Sequence, residues 1–306
     1  MTSDNELFKV VSAHTNESEI IAAPVYSYWR SVGRKFFSSK LAAAMLILLA
    51  VILLLSFIQP MFTNYAVVNA GKIDEFGLRY LHPSMKYWFG TDSTGQSLFD
   101  AVWAGARTSI ILSVLATLIT TFIGVVVGAI WGVSKAVDRV MIEVYNVITN
   151  VPILLILIVF SYAFGQGFWN LLLAMCLTSW VNVAYGIRVQ VMMLRDREYN
   201  IASKTLGTKS ATLIGKNILP FLVSYIVTAM AGALPNFISY EVFLSFLGVG
   251  LSADTPSLGR IITENTNNIT TNGYLFWIPT IILGLVTISI SLVGQILGDA
   301  SDPRNH

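Results

Sequence analysis

Five stretches of this sequence stay apolar for about the 20 residues that a helix needs to cross the hydrocarbon core of a bilayer. They run from Leu41 to Phe57, Thr108 to Gly132, Val144 to Phe164, Ile218 to Phe246 and Tyr274 to Leu297. A sixth, Phe168 to Tyr185, holds Asn170, Ser179 and Asn182 but no charge. Lipid offers backbone N–H and C=O groups no partner, so each run must close its own hydrogen bonds as a helix. The expectation is an all-α integral membrane protein with six transmembrane helices. Composition agrees: 55% of the residues are hydrophobic and 12% charged, against about 25% charged in soluble domains. The net charge of +2 makes no field for a nucleic-acid partner. The single cysteine, Cys176, lies in an apolar run and builds neither an internal disulfide nor a metal site.

Basic residues orient such a chain. With the N-terminus in the cytoplasm, inner segments hold fourteen Lys and Arg, from Lys9 through the run Arg188, Arg195, Arg197, Lys204, Lys209 and Lys216 to Arg304. Outer loops hold five: Lys72, Arg79, Lys86, Arg107 and Arg260. Both termini are therefore expected inside, and the first span is expected to be retained rather than cleaved. Four regions follow: a cytoplasmic segment over 1–40, the first span with its outer loop over 41–107, a five-helix core over 108–298, and a cytoplasmic tail over 299–306. Residues 1–24 are polar and of mixed charge. Tyr26 to Lys40 mixes aromatic and basic residues, which suits either a helix lying in the interface or a plain positive flank. Gly124, Gly128 and Gly132 recur every fourth residue, a spacing that admits a second helix at close range, in this subunit or another.

The segment between the fourth and fifth spans is the most informative. Tyr199, Ala202 and Leu206 share one helical face. Gly207 stands where a left-handed cap would end a short helix, Thr208 or Ser210 can cap the next, and Pro220 precedes the fifth span. A short amphipathic helix at the inner membrane surface is predicted, with small residues Ala202 and Ser203 on its exposed side, open to a grooved partner.

This stretch resembles the EAA loop of binding-protein-dependent ABC importers. Ala202, Gly207, Leu219 and Pro220 match that pattern, whereas Ile201 stands at its Glu, Ser203 at an Ala and Asn217 at an Ile. Glu198-Tyr199 at its head is similar to the oligopeptide branch. Three further stretches resemble the C-type permease subunit of oligopeptide and dipeptide importers, closest to the Opp and Ami permeases of Gram-positive cocci. They are Phe89 to Gly95 with Gly105 to Ser109, Leu244 to Leu251 with Pro256 to Gly259, and the ending Asp299 to Arg304.

The resemblance implies a type I ABC importer permease fold in a bacterial cell membrane. It implies a homologous B-type permease as pore partner, two cytoplasmic ATPase subunits that carry ATP and Mg, and an extracellular lipid-anchored or periplasmic protein that delivers peptide. Glu198, Tyr199, Ala202, Ser203, Lys204, Leu206, Gly207 and Pro220 are the expected coupling residues. No cofactor is expected on this chain, and no catalysis. Gly207-Thr-Lys-Ser210 is not a phosphate loop, because that motif needs adjacent Gly-Lys with a Gly five before.

Polar residues inside apolar runs are costly in lipid, so they face other helices or water. Asn150, Asn182, Asn236 and Glu241 are the candidate pathway or gate residues, with interhelical hydrogen bonding as the other reading; Glu241 falls near the outer end of its run. Gly90, Thr91, Asp92 and Gly95 are candidate contacts for the binding protein, or else a tight turn. A secondary transporter would show repeats or buried ion-coupling charges. An intramembrane enzyme would need a metal set or a Ser/His pair, but His14, His82 and His306 lie outside the runs.

Overall fold

The structure, a computed structural model, describes residues 28–63, 76–252 and 254–301. The polar segment before residue 25, Lys72 and the end of the tail from 302 onward lie outside them.

Helix α1 (Tyr28–Ser38) leads into α2 (Lys40–Phe62), whose start is capped by the Ser39 hydroxyl accepting from Ala42 N. Then come α3 (Leu98–Val133), α4 (Lys135–Thr149), α5 (Ile153–Phe164), α6 (Phe168–Arg195) and α7 (Glu198–Thr205). After these the chain forms one turn, α8 (Ser210–Thr212), a π-helical segment over Leu213–Ile218, a 3-10 turn over Leu219–Leu222, and α9 (Val223–Phe246). A short α10 (Leu258–Glu264) and a long α11 (Tyr274–Ser301) complete it. Among the described residues five helices are long and apolar enough to span a bilayer, and a sixth crossing exists only as a bent pair.

That pair corrects the expected third span. The run from Val144 to Phe164 is not one straight helix: α4 and α5 meet at 77°. Pro152 has no N–H to donate and its ring excludes the preceding turn. Asn150 closes α4 instead, its Nδ2 donating to Asn146 O at 2.6 Å. The second span is also longer than its apolar run. Helix α3 begins at Leu98, with Ser97 Oγ accepting from Asp100 N, so Arg107 sits within the helix rather than in a loop.

Helix α3 is the central post. Its glycines serve packing within this chain: a Cβ at Gly124 would stand 2.6 Å from Val183 Cβ, at Gly128 2.4 Å from Ala184 O, and at Gly132 2.6 Å from Val191 Cβ. All three neighbours lie on α6. At one end of the molecule α2, α3, α9, α10 and α11 enclose a core of Ile52, Leu98, Trp103, Ile238, Leu258 and Val286. At the other, Ala129, Ile187, Val191, Leu213, Ile218 and Leu222 join α3 and α6 to the π segment. Helix α1 turns Val32 and Phe36 onto Ala42 and Ala300, docking on the first turn of α2 and the last of α11.

Candidate functional site

The short helix α7 forms where the sequence places it, and its C-terminus is tied by Gly207. At φ +88° this residue takes the left-handed conformation that glycine adopts without strain. Gly207 N donates to Lys204 O (3.0 Å) and Thr208 N to Ser203 O (3.1 Å), the paired bonds of a Schellman stop. The expected cap of the next helix is not made. Lys209 occupies that position without a side-chain bond, and the Thr208 hydroxyl instead accepts from Ser203 Oγ at 2.9 Å.

The amphipathicity of α7 is inverted relative to a helix packed on its own protein. Tyr199, Ile201 and Leu206 are exposed, Leu206 to 87%, whereas polar Asn200 is completely buried. Ala202, Lys204 and Glu198 are also exposed, and Ser203 is half-buried. Asn200 Nδ2 donates to Leu194 O at the end of α6 (2.9 Å), and Asn200 Oδ1 accepts from Asn217 Nδ2 in the π segment (3.1 Å). One side chain thus joins three elements. Pro220 is exposed in the 3-10 turn that follows, where a missing N–H costs nothing. The helix, π segment, 3-10 turn and α9 form one unbroken helical path from Ser210 to Phe246.

Beside α7 a second polar cluster fixes the same end of the fold. Asp138 accepts from Trp131 Nε1 and from Arg188 Nε, and the Arg188 guanidinium lies over the Trp131 and Tyr185 rings. Tyr145 stacks on Tyr185 at 4.3 Å. These contacts hold the start of α4 against α3 and α6. Sequence reasoning missed them because the partners are up to 50 residues apart.

Along α9 lies a cleft of about 280 Å3, walled by Thr120 of α3, Ile153 of α5, Ser179 and Asn182 of α6, and Tyr225 and Asn236 of α9. Asn182 and Asn236, two of the four candidate pathway residues, are brought together here. Their amides are exposed, and among the described residues neither bonds to another helix. Asn150 lies elsewhere, at the α4–α5 break. Glu241 is fully buried away from the cleft. Its carboxylate accepts from Ser109 Oγ (2.9 Å) and Ser245 Oγ (3.0 Å), while Ser109 Oγ accepts from Leu258 N (3.3 Å). A Cβ at Gly259 would stand 2.6 Å from Val242 Cα, and one at Gly105 2.9 Å from the Ser257 carbonyl carbon, so α10 is pressed onto both neighbours. The stretches around Gly105, Leu244 and Pro256, distant in sequence, meet at this one carboxylate.

The motif at Gly90, Thr91, Asp92 and Gly95 faces inward rather than out. Gly90, Thr91 and Gly95 are buried. Asp92 Oδ1 accepts from Thr94 N, Thr94 Oγ1 and Gln96 N, and Tyr274 Oη donates to Thr91 O. What the loop shows to solvent is Trp88, at 67% exposure, with Met85 beside it. Among the described residues no group of three His, Cys, Asp or Glu is placed to hold a metal.

Residues 122–306 match the family model described as binding-protein-dependent transport system inner membrane component, and residues 27–83 that of the N-terminal TM domain of oligopeptide transport permease C. The chain is 55% identical to the oligopeptide transport system permease protein AmiD of Streptococcus pneumoniae, over 100% of this chain and 99% of that one. It is 32% identical to OppC of Bacillus subtilis, over 97% of each. An inward-facing structure of the MetNI methionine ABC transporter matches 66% of this chain and 96% of its own, with a TM-score of 0.52 and 17% identity, which is a likeness of fold.

Proposed function

We propose, for a chain that belongs to the family of binding-protein-dependent transport inner membrane components, that it is the C-type permease subunit of an ATP-driven oligopeptide importer. The chain does not hydrolyse ATP; that chemistry, with its Mg, belongs to two separate ATPase subunits. A homologous B-type permease completes the translocation path, and an external lipid-anchored or periplasmic protein delivers the peptide. The end of the molecule bearing α7 faces the cytoplasm of a bacterial cell, with both termini on that side.

One observation carries the mechanism: a short helix that exposes its apolar face and is tied through Asn200 and Asn217 to the path leading into α9. Apolar surface turned away from its own fold marks a docking face. Glu198, Tyr199, Ala202, Ser203, Lys204, Leu206 and Gly207 form the lever, with Tyr199, Ala202 and Leu206 on the side seated in an ATPase groove and Lys204 flanking it, and Pro220 closes its joint with α9. Closure of the ATPase dimer moves α7, and the Asn200–Asn217 amide pair passes that motion to α9, whose Asn236 lines the cleft with Asn182. Coupling of this kind needs an element with two discrete positions. The π segment next to a 3-10 turn is the element assigned to that role, since such breaks in the α-helical bond pattern mark hinges. At the other end, Glu241 with its serines anchors α10 as the frame of the outer gate. The Gly90–Gly95 turn holds the loop on which Trp88 meets the delivering protein.

Affinity purification from the native membrane in mild detergent, with mass spectrometry of the partners, tests the assembly. A second permease and two ATPases in near-equal amounts are expected. Recovery as a homo-oligomer, under conditions that keep a known ABC complex intact, would overturn it.

A further inference from the structure

We infer that the crevice between α7 and the ends of α3 and α6 binds the phosphodiester headgroup of an anionic lipid. The crevice has a volume of about 600 Å3. Three cations line it: Lys135, Arg195 and Lys204, against the single carboxylate of Asp196. Arg195 is held in place, its Nη1 donating to Gly132 O (2.6 Å) and its Nε to Asp196 Oδ1 (3.2 Å). Among the described residues the Lys135 and Lys204 ammonium groups have neither an ion pair nor a hydrogen bond within the chain. Two unspent positive charges and a pre-oriented guanidinium therefore converge on one space, and the Ser210 hydroxyl adds a donor at its rim.

Depth in the membrane selects the ligand. Lys135 opens α4, one residue beyond the Ser134 cap that ends α3, and Arg195 is the last residue of α6. Both mark where membrane-spanning helices stop, which is the level of the lipid headgroups. Part of the wall is apolar, formed by Val133, Ile201 and the buried Leu213, and suits the glycerol and first methylenes of a lipid rather than a bare ion. The crevice also lies on the far side of α7 from the docking face. At about 100° per residue, Ile201, Lys204 and Thr205 cluster opposite Tyr199, Ala202 and Leu206. An ATPase seated on the latter face leaves the former open to the membrane side. Basic residues at the cytoplasmic surface gain about 1 kcal/mol each from anionic lipid, roughly fivefold in binding. The inference needs only that the chain spans a membrane, not that it imports peptide.

The test uses the purified complex, stripped of lipid in detergent and titrated separately with dioleoylphosphatidylglycerol, dioleoylphosphatidylcholine and inorganic phosphate, with bound adducts counted by native mass spectrometry. A phosphatidylglycerol adduct is expected, weakened about fivefold by Lys135→Gln and unchanged by Lys86→Gln at the opposite end of the molecule. Lys204→Gln is the second variant should Lys135→Gln not assemble. Equal binding of phosphatidylcholine, or indifference to both crevice variants, overturns the inference. A phosphate adduct lost in Lys135→Gln, with no phosphatidylglycerol adduct, assigns the crevice to a soluble phosphate and overturns the lipid headgroup as its ligand.

Discussion

Replacing Asn200 by alanine should loosen the junction between α6, α7 and the π segment, and thereby waste ATP. The side chain is completely buried and makes two neutral hydrogen bonds, to Leu194 O and from Asn217 Nδ2. Each is worth about 1 kcal/mol net. Leu194 O is not orphaned by the change, because Arg197 N also donates to it at 3.1 Å. The half-buried Asn217 amide does lose its partner, adding about 1 kcal/mol more. The junction should therefore weaken by about 3 kcal/mol in total, a local effect that leaves the spans folded. In proteoliposomes containing the whole complex, the ATP hydrolysed per peptide imported should rise. Trypsin should cut faster at Lys204 or Lys209. Exchanging both partners for apolar residues of similar shape, Asn200→Leu with Asn217→Leu, strands no amide and is close to neutral. The double variant should thus recover at least 1 kcal/mol relative to the sum of the single changes, a coupling that only contacting residues show. Strict additivity, or an unchanged ratio of ATP to peptide in Asn200→Ala, would refute the latch.

Other positions give sharper structural tests. Gly128→Val should cost about 1–3 kcal/mol or more by forcing α3 from α6, because the clash is with Ala184 backbone; Gly284→Ala, inside α11 where nothing lies within 4 Å, should hold or raise the melting temperature of the chain. Glu241→Ala should strip the acceptor from Ser109 and Ser245 and lower the melting temperature more than Glu241→Gln, which keeps one acceptor oxygen. Asp92→Ala removes three bonds to one oxygen and should raise amide hydrogen exchange across 90–97, while Trp88→Ala should weaken capture of the binding protein without altering that exchange.

Hydropathy showed where this chain is helical more faithfully than it showed where helices begin or bend. The start of α3 was hidden because Asp100 and Arg107 end an apolar run without ending a helix; the readable signal was Ser97, three residues before Asp100. Pro152 was legible as a kink, yet the run from Val144 to Phe164 reads as continuous because a 77° turn changes direction and not composition. Helix α7 was legible through Gly207, whose backbone needs the conformation only glycine takes freely. Which of its sides faces the protein was not. A polar residue in a short amphipathic helix is expected outward, and Asn200 is buried because of a partner 17 residues later. Asn217 departs from the family pattern, and the structure gives that departure a partner. Of the candidate pathway residues, spacing alone could not separate Asn182 and Asn236, which share a cleft, from Glu241, which is sealed among Ser109 of α3, Ser245 of its own helix and the start of α10.

The fold also carries a mismatch of lengths. Helix α3 has 36 residues and is about 54 Å long, whereas α5 has 12 and reaches about 18 Å. The apolar run of α3, Thr108 to Gly132, accounts for about 38 Å of that length, somewhat more than a hydrocarbon core of about 30 Å, whereas α5 alone is shorter than the core. A long helix can tilt, whereas a short one draws the bilayer inward, relies on flanking side chains that reach the interface, or is shielded by another protein. Bilayer thickness is therefore a variable of this subunit's working environment. Acyl chain length, set in reconstitution by the choice of lipid, should be felt first at α5, whose 12 residues do not cross the core alone.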